Sequence, residues 1–357
     1  MSPPMEAEAA SGSFRRRRLT VDALATALPK IESTRSGGKR HRSHRMSTEL
    51  GTKLDESSLL FEKTVVGTFS CHGIEPSEEG QPHAKINQDR GLVWYPLADD
   101  RSTACFAVFD GHGDSGDSCS HFTATATQLL LESHPALRTE PQRALRESFL
   151  RVDALLKCEE SVDSEMSGTT ATVALLSGST LHLAWVGDSR AVLARSALAK
   201  DGSKAYTAID LSRDHKPDSK LEHARICARG GYVTPAQEWG GPARVWMTPA
   251  RELPGLAMSR SIGDHVATPI GVVADPELTS HELTPSDEFL ILASDGVWEF
   301  IDSQTAIDIV APVLRSHGAT VACTKLILAA GERWREEEGD YRDDITAIVV
   351  KLPCFKH

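Results

Sequence analysis

Apolar and polar positions along this chain switch between a period of two and a helical period, and each switch marks an element. Within Lys63 to Cys71 the β-branched run Thr64-Val-Val-Gly-Thr-Phe-Ser70 predicts a first strand, and a loop rich in Gly, Pro, Ser and Glu follows to Pro82. Lys85 to Tyr95 joins a polar turn to a second strand, and Ala104 to Phe109 supplies a third; such short spacings favour antiparallel pairing. Helical spacing takes over at 117–133 and 140–160, where Leu129, Leu130, Leu145, Phe149, Val152, Leu155 and Leu156 form core-facing stripes. Gly168 to Leu176, Thr180 to Asp188 and Ala191 to Arg195 then read as three strands separated by small-residue turns, for which a β-meander is the natural topology.

Asp214-His-Lys-Pro-Asp218 opens the next helix, with Asp214 or Asp218 available as cap, Lys220 to Arg229 as body and Gly230-Gly231 as stop. His215 reads as a turn residue. Tyr232 to Gly255 has no clear period and reads as an irregular, flap-like segment (232–255). Strands return at Gly271 to Ala274 and Glu288 to Ala293, helices at Asp302 to Leu314 and Thr320 to Arg335, and a last strand at Ile345 to Leu352. Two consecutive helices separate the strand clusters, so stacked antiparallel sheets flanked by helices fit better than a regular βαβ parallel sheet.

Three apolar runs end in acid: Ala104-Cys-Phe-Ala-Val-Phe-Asp110-Gly-His112-Gly, Phe289-Leu-Ile-Leu-Ala-Ser-Asp295-Gly, and Arg342-Asp343-Asp344 ahead of Ile345 to Val350. Strand ends from distant sequence can meet on one edge, and buried acids gathered there repel one another unless cations are bound. A divalent metal is the simplest resolution. The glycines flanking His112 let backbone carbonyls as well as the carboxylate approach an ion or a phosphate.

Charge is unevenly divided. Residues 1–46 hold ten Lys/Arg against four Asp/Glu, a net +6, whereas residues 47–357 hold 29 against 46, a net −17. The acidic body argues against nucleic-acid binding and suits metal, while the basic blocks Arg15 to Arg18 and Lys39 to Arg45 are confined to residues 1–60, read as a disordered arm serving import, docking or only solvation. Within the arm, Val21 to Leu28 has the apolar residues for a short helix that Pro29 stops. Seven scattered cysteines without a CxxC pair point away from a disulfide framework or a zinc site, and towards a reducing compartment, cytoplasmic or nuclear. No apolar stretch approaches a membrane span, and the second residue is Ser2 where myristoylation requires glycine, so no membrane association is expected.

The ordered series Asn87-Gln-Asp89, Phe109-Asp-Gly-His-Gly113, Ser167-Gly-Thr-Thr170, Gly187-Asp-Ser-Arg190, Asp214-His-Lys-Pro217, Ser259-Arg-Ser-Ile-Gly-Asp264, Ala274-Asp-Pro-Glu277, Ser294-Asp-Gly-Val-Trp298 and Arg342-Asp-Asp-Ile-Thr346 resembles the metal-dependent serine/threonine phosphatases of the protein phosphatase 2C family. The resemblance implies an α+β fold, a four-layer α-β-β-α sandwich of two antiparallel sheets packed face to face with helices on both outer faces, as a catalytic domain over 61–354. It implies two Mg2+ or Mn2+ ions and hydrolysis of phosphoserine and phosphothreonine by attack of a hydroxide held between them. By motif position Asp110 would bridge both ions, the Gly111 carbonyl would bind one, and Asp295 with Asp343 the other; Asp89 would hold the coordinated water and His112 would be the general acid. The partners implied are phosphorylated proteins, with a monomeric enzyme expected.

Some positions depart from the family pattern. Where members often carry a phosphate-binding Arg stands Ala84, with Lys85 beside it as the substitute cation; Gln88 replaces a Glu, and Asp344 replaces an Asn. A third metal site would use Asp188 and, where Asp is usual, Glu299. Two other readings use the same residues: a non-catalytic phosphatase-like binding protein, which Ala84 and Gln88 favour and the intact acids oppose, and a structural Ca2+-binding domain, which His112 and the lack of a twelve-residue loop oppose.

Overall fold

The structure is a computed structural model that describes residues 61–77, 81–198, 202–236 and 241–355. The arm 1–60, with the short helix expected over Val21 to Leu28, lies outside them. The chain runs β1 (Val66–Cys71), β2 (Ile74–Glu75), β3 (His83–Ala84), β4 (Arg90–Trp94), β5 (Thr103–Phe109) and β6 (Gly111–His112) into α1 (Gly116–Ser133) and α2 (Pro141–Leu156). There follow β7 (Gly168–Thr169), β8 (Ala171–Ser177), β9 (Thr180–Val186), β10 (Arg190–Leu198), β11 (Lys204–Asp210) and α3 (Lys220–Ala228). Next come β12 (Tyr232–Thr234), β13 (Arg244–Trp246), β14 (Pro254–Leu256), β15 (Ile262–Gly263), a 3-10 turn (His265–Ile270), β16 (Glu277–Glu282) and β17 (Asp287–Ala293). The chain closes with α4 (Asp295–Trp298), α5 (Ser303–His317), α6 (Ala319–Glu338) and β18 (Ile345–Lys351).

Two five-stranded antiparallel sheets dominate, ordered β16-β9-β8-β5-β4 and β1-β18-β17-β10-β11. The period of two along the strands sorts their side chains into three apolar clusters. Cys105, Ala107 and Phe109 of β5 join Phe122 and Leu131 of α1 and Leu145, Phe149 and Val152 of α2. The alternate residues Phe106 and Val108 join Leu193, Leu290, Leu292, Ile348 and Val350, all from the other large sheet. The opposite positions of that sheet, Val192, Ile291 and Val349, join Ile307, Val310 and Leu314 of α5 and Leu326 of α6. Each of these large side chains contributes about 1.5–3 kcal/mol through burial.

The structure departs from the sequence reading in several places. The meander breaks after β9: at Gly187, with φ +93° and a methyl's space already filled by Thr170, the chain turns away and β10 pairs with β17 and β11. Both faces of β10 are apolar, Ala191 and Leu193 on one and Val192 and Ala194 on the other, which suits an inner strand of the other sheet. The run Gly168 to Leu176 divides at Thr170, and β7 joins β6 and β15 in a small sheet of its own. Gly271 to Ala274 is no strand but the exit of the 3-10 turn, with Gly271 at φ +104° and a single bridge from Val273 to Arg260. The cap of α3 is Ser219, while Asp214 instead receives a two-pronged contact from Arg190 (2.9 and 2.7 Å). The segment 232–255 is built on the sheet β12-β13-β14, whose Val233 and Val245 pack on Ile226 and Ile270; residues 237–240 lie outside the described residues.

Candidate active site

The two large sheets present their strand ends together. In the β4–β5 pairing Arg90 faces Phe109, which sets Asp89 beside Asp110 just past the end of β5. Asp110 is held by reciprocal bonds with Thr170: its amide donates to Thr170 Oγ1 (3.0 Å) and its carbonyl accepts from the Thr170 amide (2.8 Å). A methyl on Gly111 would stand 2.2 Å from the Gly116 carbonyl oxygen and 2.7 Å from that of Gln88, so no other residue fits that turn.

Asp295 begins α4 where β17 ends, and Asp343 precedes β18, the strand paired with β17. Ser294 ties these to Asp89: its hydroxyl donates to Asp89 Oδ2 (2.7 Å) and accepts from the Thr346 amide (3.0 Å). The indole of Trp334 donates to the Gly296 carbonyl (2.7 Å), fixing the short helix from behind. Asp110 and Asp295 are close enough for the charge of Asp295 to raise the pKa of Asp110.

Burial and mutual repulsion dominate the electrostatics. Asp110 is held well above the ordinary carboxylate range by burial and then by Asp295, Asp89, Asp343 and Asp188. Asp295 is raised by burial, Asp188 and Asp343, against the relief Lys216 gives. Asp89 is pushed up to about 7, mainly by burial, although Ser294 and Thr346 favour its charged form. One oxygen each of Asp89 and Asp188 is buried without a hydrogen-bond partner. Among the described residues no three or more Asp, Glu, His or Cys side chains converge as a ready ligand group. The case for a cation therefore rests on uncompensated charge and orphaned oxygens, and on both counts the residues fit hard divalent ions.

His112 stands in β6, opposite Gly168 of β7, which itself pairs with Gly263 of β15. That small sheet brings Asp264, in the left-handed region at φ 50°, against the imidazole: Asp264 Oδ2 lies 2.7 Å from His112 Nε2 and accepts from the Ser261 hydroxyl at 2.5 Å. A methyl at Gly168 would sit 2.4 Å from the same oxygen. Burial alone would lower the His112 pKa, but Asp264 outweighs it and the net shift is upward. With Nε2 engaged, Nδ1 is the remaining ring nitrogen, buried and without a partner.

Both lysines near the acids are occupied. Lys85 Nζ donates to Asp343 Oδ1 (2.9 Å) and lies over the Tyr341 ring, and Lys216 Nζ donates to Asp188 Oδ2 (2.7 Å). Burial works against each charge and the partner acid more than restores it, so both titrate above the ordinary lysine range. Ala84 is exposed in β3. Glu299 is exposed, and no hydrogen bond or ion pair links it to Asp188 among the described residues.

A family model described as "Protein phosphatase 2C" matches residues 71–338. The chain belongs to the protein phosphatase 2C family. It is 36% identical over 286 residues to "Probable protein phosphatase 2C 35" of Arabidopsis thaliana, covering 75% of this chain and 79% of that one. It is 35% identical over 282 residues to "Probable protein phosphatase 2C 34" of the same plant, covering 74% and 76%. Among solved structures, the serine-threonine phosphatase 2C from Toxoplasma gondii superposes with a TM-score of 0.67 at 23% identity, over 80% of this chain and 94% of that one, a likeness of fold. The enzyme class is accordingly protein serine/threonine phosphatase, in a metal-dependent family.

Within this protein phosphatase 2C chain, the departures in sequence have structural partners. Gln88 donates through Nε2 to the Gly113 carbonyl (2.7 Å), and the Asp344 carboxylate accepts from the amides of Gln88 (2.8 Å) and Gly73, so both brace the loop carrying Asp89. Three residues of the site had no role in the sequence reading. Asp264 and Lys216 stood in quoted motifs without a task, and Ser294 likewise; their contacts cross 152, 28 and 205 residues, a separation that leaves no local signal.

Proposed function

We propose that this phosphatase removes phosphate from phosphoserine and phosphothreonine in proteins, with Asp110, the Gly111 carbonyl, Asp295 and Asp343 holding two divalent ions, Mg2+ or Mn2+. The observation that carries the reading is the set of acids at the strand ends of the two large sheets, Asp89, Asp110 and Asp295 each held above the ordinary carboxylate range, with an oxygen each of Asp89 and Asp188 unpartnered. When bound, such ions acidify water and neutralise phosphoryl oxygens. Asp89 would hold a coordinated water through its unpartnered oxygen, the other being fixed by Ser294. His112, charged through Asp264, donates a proton from Nδ1 to the leaving serine or threonine oxygen, which is too basic to depart as an anion. Lys85 spends one of its three N–H donors on Asp343, and the others serve the substrate phosphate. Asp188 holds Lys216 through Oδ2 alone, so its unpartnered Oδ1 is the oxygen it would offer to a third ion, with Glu299 as the further ligand.

The three apolar clusters support the four-layer α-β-β-α reading for a catalytic domain over 61–354, with 232–255 as its flap. The free cysteines and acidic body are in keeping with a monomer in the cytoplasm or nucleus that engages neither nucleic acid nor membrane; no helix among the described residues is long and apolar enough to cross a bilayer. The test is phosphate release from a phosphopeptide with Mn2+ or Mg2+, with and without chelator. Release that chelator stops and excess ion restores is expected; release indifferent to chelator, or none, overturns the reading.

A further inference from the structure

At the end of the β1-to-β11 sheet remote from the acids lies a cavity of about 210 Å³, with Phe289, Leu314 and Leu352 among its apolar walls and Arg315 and Lys351 at its rim. Phe289 lies in β17 and Asp295 six residues on, just past the strand's end, about 20 Å at the rise of a strand, so the cavity is separate from the site described above. Its one acid is already satisfied: Glu288 receives the Tyr206 hydroxyl (2.9 Å) and the Lys204 ammonium. Arg315 and Lys351 are both exposed, and among the described residues neither side chain makes a hydrogen bond or ion pair. The cavity thus offers apolar walls beneath two unsatisfied cations, the complement of a leucine followed by acids.

The chain's own arm enters at this place. The Lys351 amide donates to the Val65 carbonyl (2.8 Å), and the Ala319 amide, just past the end of the helix that carries Arg315, donates to the Thr64 carbonyl (3.1 Å). Both sides of the rim are therefore stitched to the first described residues. Immediately before them the sequence reads Glu49-Leu-Gly-Thr-Lys-Leu54-Asp55-Glu56-Ser-Ser-Leu-Leu60, acidic and leucine-bearing, unlike the basic blocks further from the body. From Val65 back to Asp55 there are ten residues, enough to span about 33 Å when extended.

We propose that Leu54-Asp55-Glu56 folds back into this cavity, Leu54 against the apolar walls and the two carboxylates on Arg315 and Lys351. Tethering gives the segment an effective concentration in the millimolar range, so modest contacts suffice. Being exposed, the ion pairs weaken with salt. Docking roots the basic blocks at the face opposite the acids, and nothing in it depends on catalysis.

Hydrogen exchange of the full chain tests it. The amides of residues 53–58 should be protected roughly tenfold or more over the unstructured rate at low salt, and less at high salt. Arg315→Glu should abolish that protection while the amides of β17 stay unchanged, and Asp55→Arg with Glu56→Arg in the same chain should restore it. Unstructured rates in the parent chain, or protection that survives Arg315→Glu, would overturn the docking. Protection that grows with protein concentration would assign the cavity to a second copy's arm and overturn it equally.

Discussion

Asp264 Oδ2 stands 2.7 Å from His112 Nε2, so the imidazole is held by a carboxylate 152 residues away in sequence. The pair requires Gly168 between the two strands, since any side chain there would strike the carboxylate. Its consequence is a fixed ring orientation, with Nε2 committed and Nδ1 left over. Asp264→Asn keeps the shape but removes the charge that favours the imidazolium. Turnover of phosphoserine peptide should fall about a hundredfold, the lower end of what general acid catalysis contributes. Turnover of p-nitrophenyl phosphate, whose leaving group scarcely needs a proton, should change far less. Parallel kcat measurements decide it, and equal losses on both substrates would reduce Asp264 to a structural residue.

Asp110 and Asp295 titrate well above ordinary carboxylates, burial being the first cause and mutual repulsion the second. The folded chain then binds protons that the unfolded chain has already released. Ionising these groups costs stability as pH rises above about 3.9, towards their folded values. Asp110→Asn removes one of the repelling charges. In the presence of chelator at pH 7 its Tm should exceed that of the parent, while its rise in Tm on adding Mg2+ or Mn2+ shrinks and hydrolysis is lost. A lower Tm in chelator would mean that the carboxylate supports the fold.

Lys85 is the cation nearest Asp343, and Ala84 leaves an exposed position one residue away on β3. Lys85→Ala should raise the phosphopeptide KM roughly tenfold, the loss expected for one charge-assisted hydrogen bond, with a smaller change in kcat. Ala84→Arg adds a planar two-pronged donor beside it and should lower KM. Steady-state kinetics on both variants separate the two effects. An unchanged KM in both would assign phosphate binding to another cation.

The legible parts of this chain were those whose burial is local. Ala104 to Phe109 is buried at every position, so a continuous apolar run announced β5 and the acid that follows it. β11 went unread because Lys204 to Asp210 carries just two large apolar side chains, Tyr206 and Ile209, among small and polar ones at a sheet edge, and β16, Glu277 to Glu282, is an edge strand with Leu278 alone. Gly271 to Ala274 carried a strand-like apolar content, but Gly271 occupies a left-handed turn that no strand contains. In the site, Asp110, Asp295 and Asp343 were visible as acids at strand ends and Asp89 through the family resemblance, whereas Asp264 depended on a sheet of two-residue strands too short to leave a period.

Glu222 anchors the helix that leads into the flap, and its buried carboxylate is shared by Arg225 (2.8 and 2.7 Å), Arg260 (3.0 and 2.7 Å) and the Ser259 hydroxyl (2.6 Å). Burial opposes its charge, but these donors prevail and hold its pKa well below the usual carboxylate range. A depressed folded pKa stabilises the protein above the unfolded value of about 4.3, and that contribution is lost as pH falls below it. Glu222→Gln leaves two guanidinium groups facing a neutral amide. It should cost about 3 kcal/mol at pH 7, the scale of breaking a buried pair from one side. The same segment, Ser259 to Asp264, carries the residue that orients His112, so the variant should also slow phosphoserine turnover. Thermal unfolding between pH 3 and 7 provides the check: the parent should lose stability steeply below about pH 4.3 and the variant less steeply, so that the two curves converge in acid. Curves that stay parallel would show that Glu222 titrates alike in the folded and unfolded chains, and that the two arginines do not hold its charge.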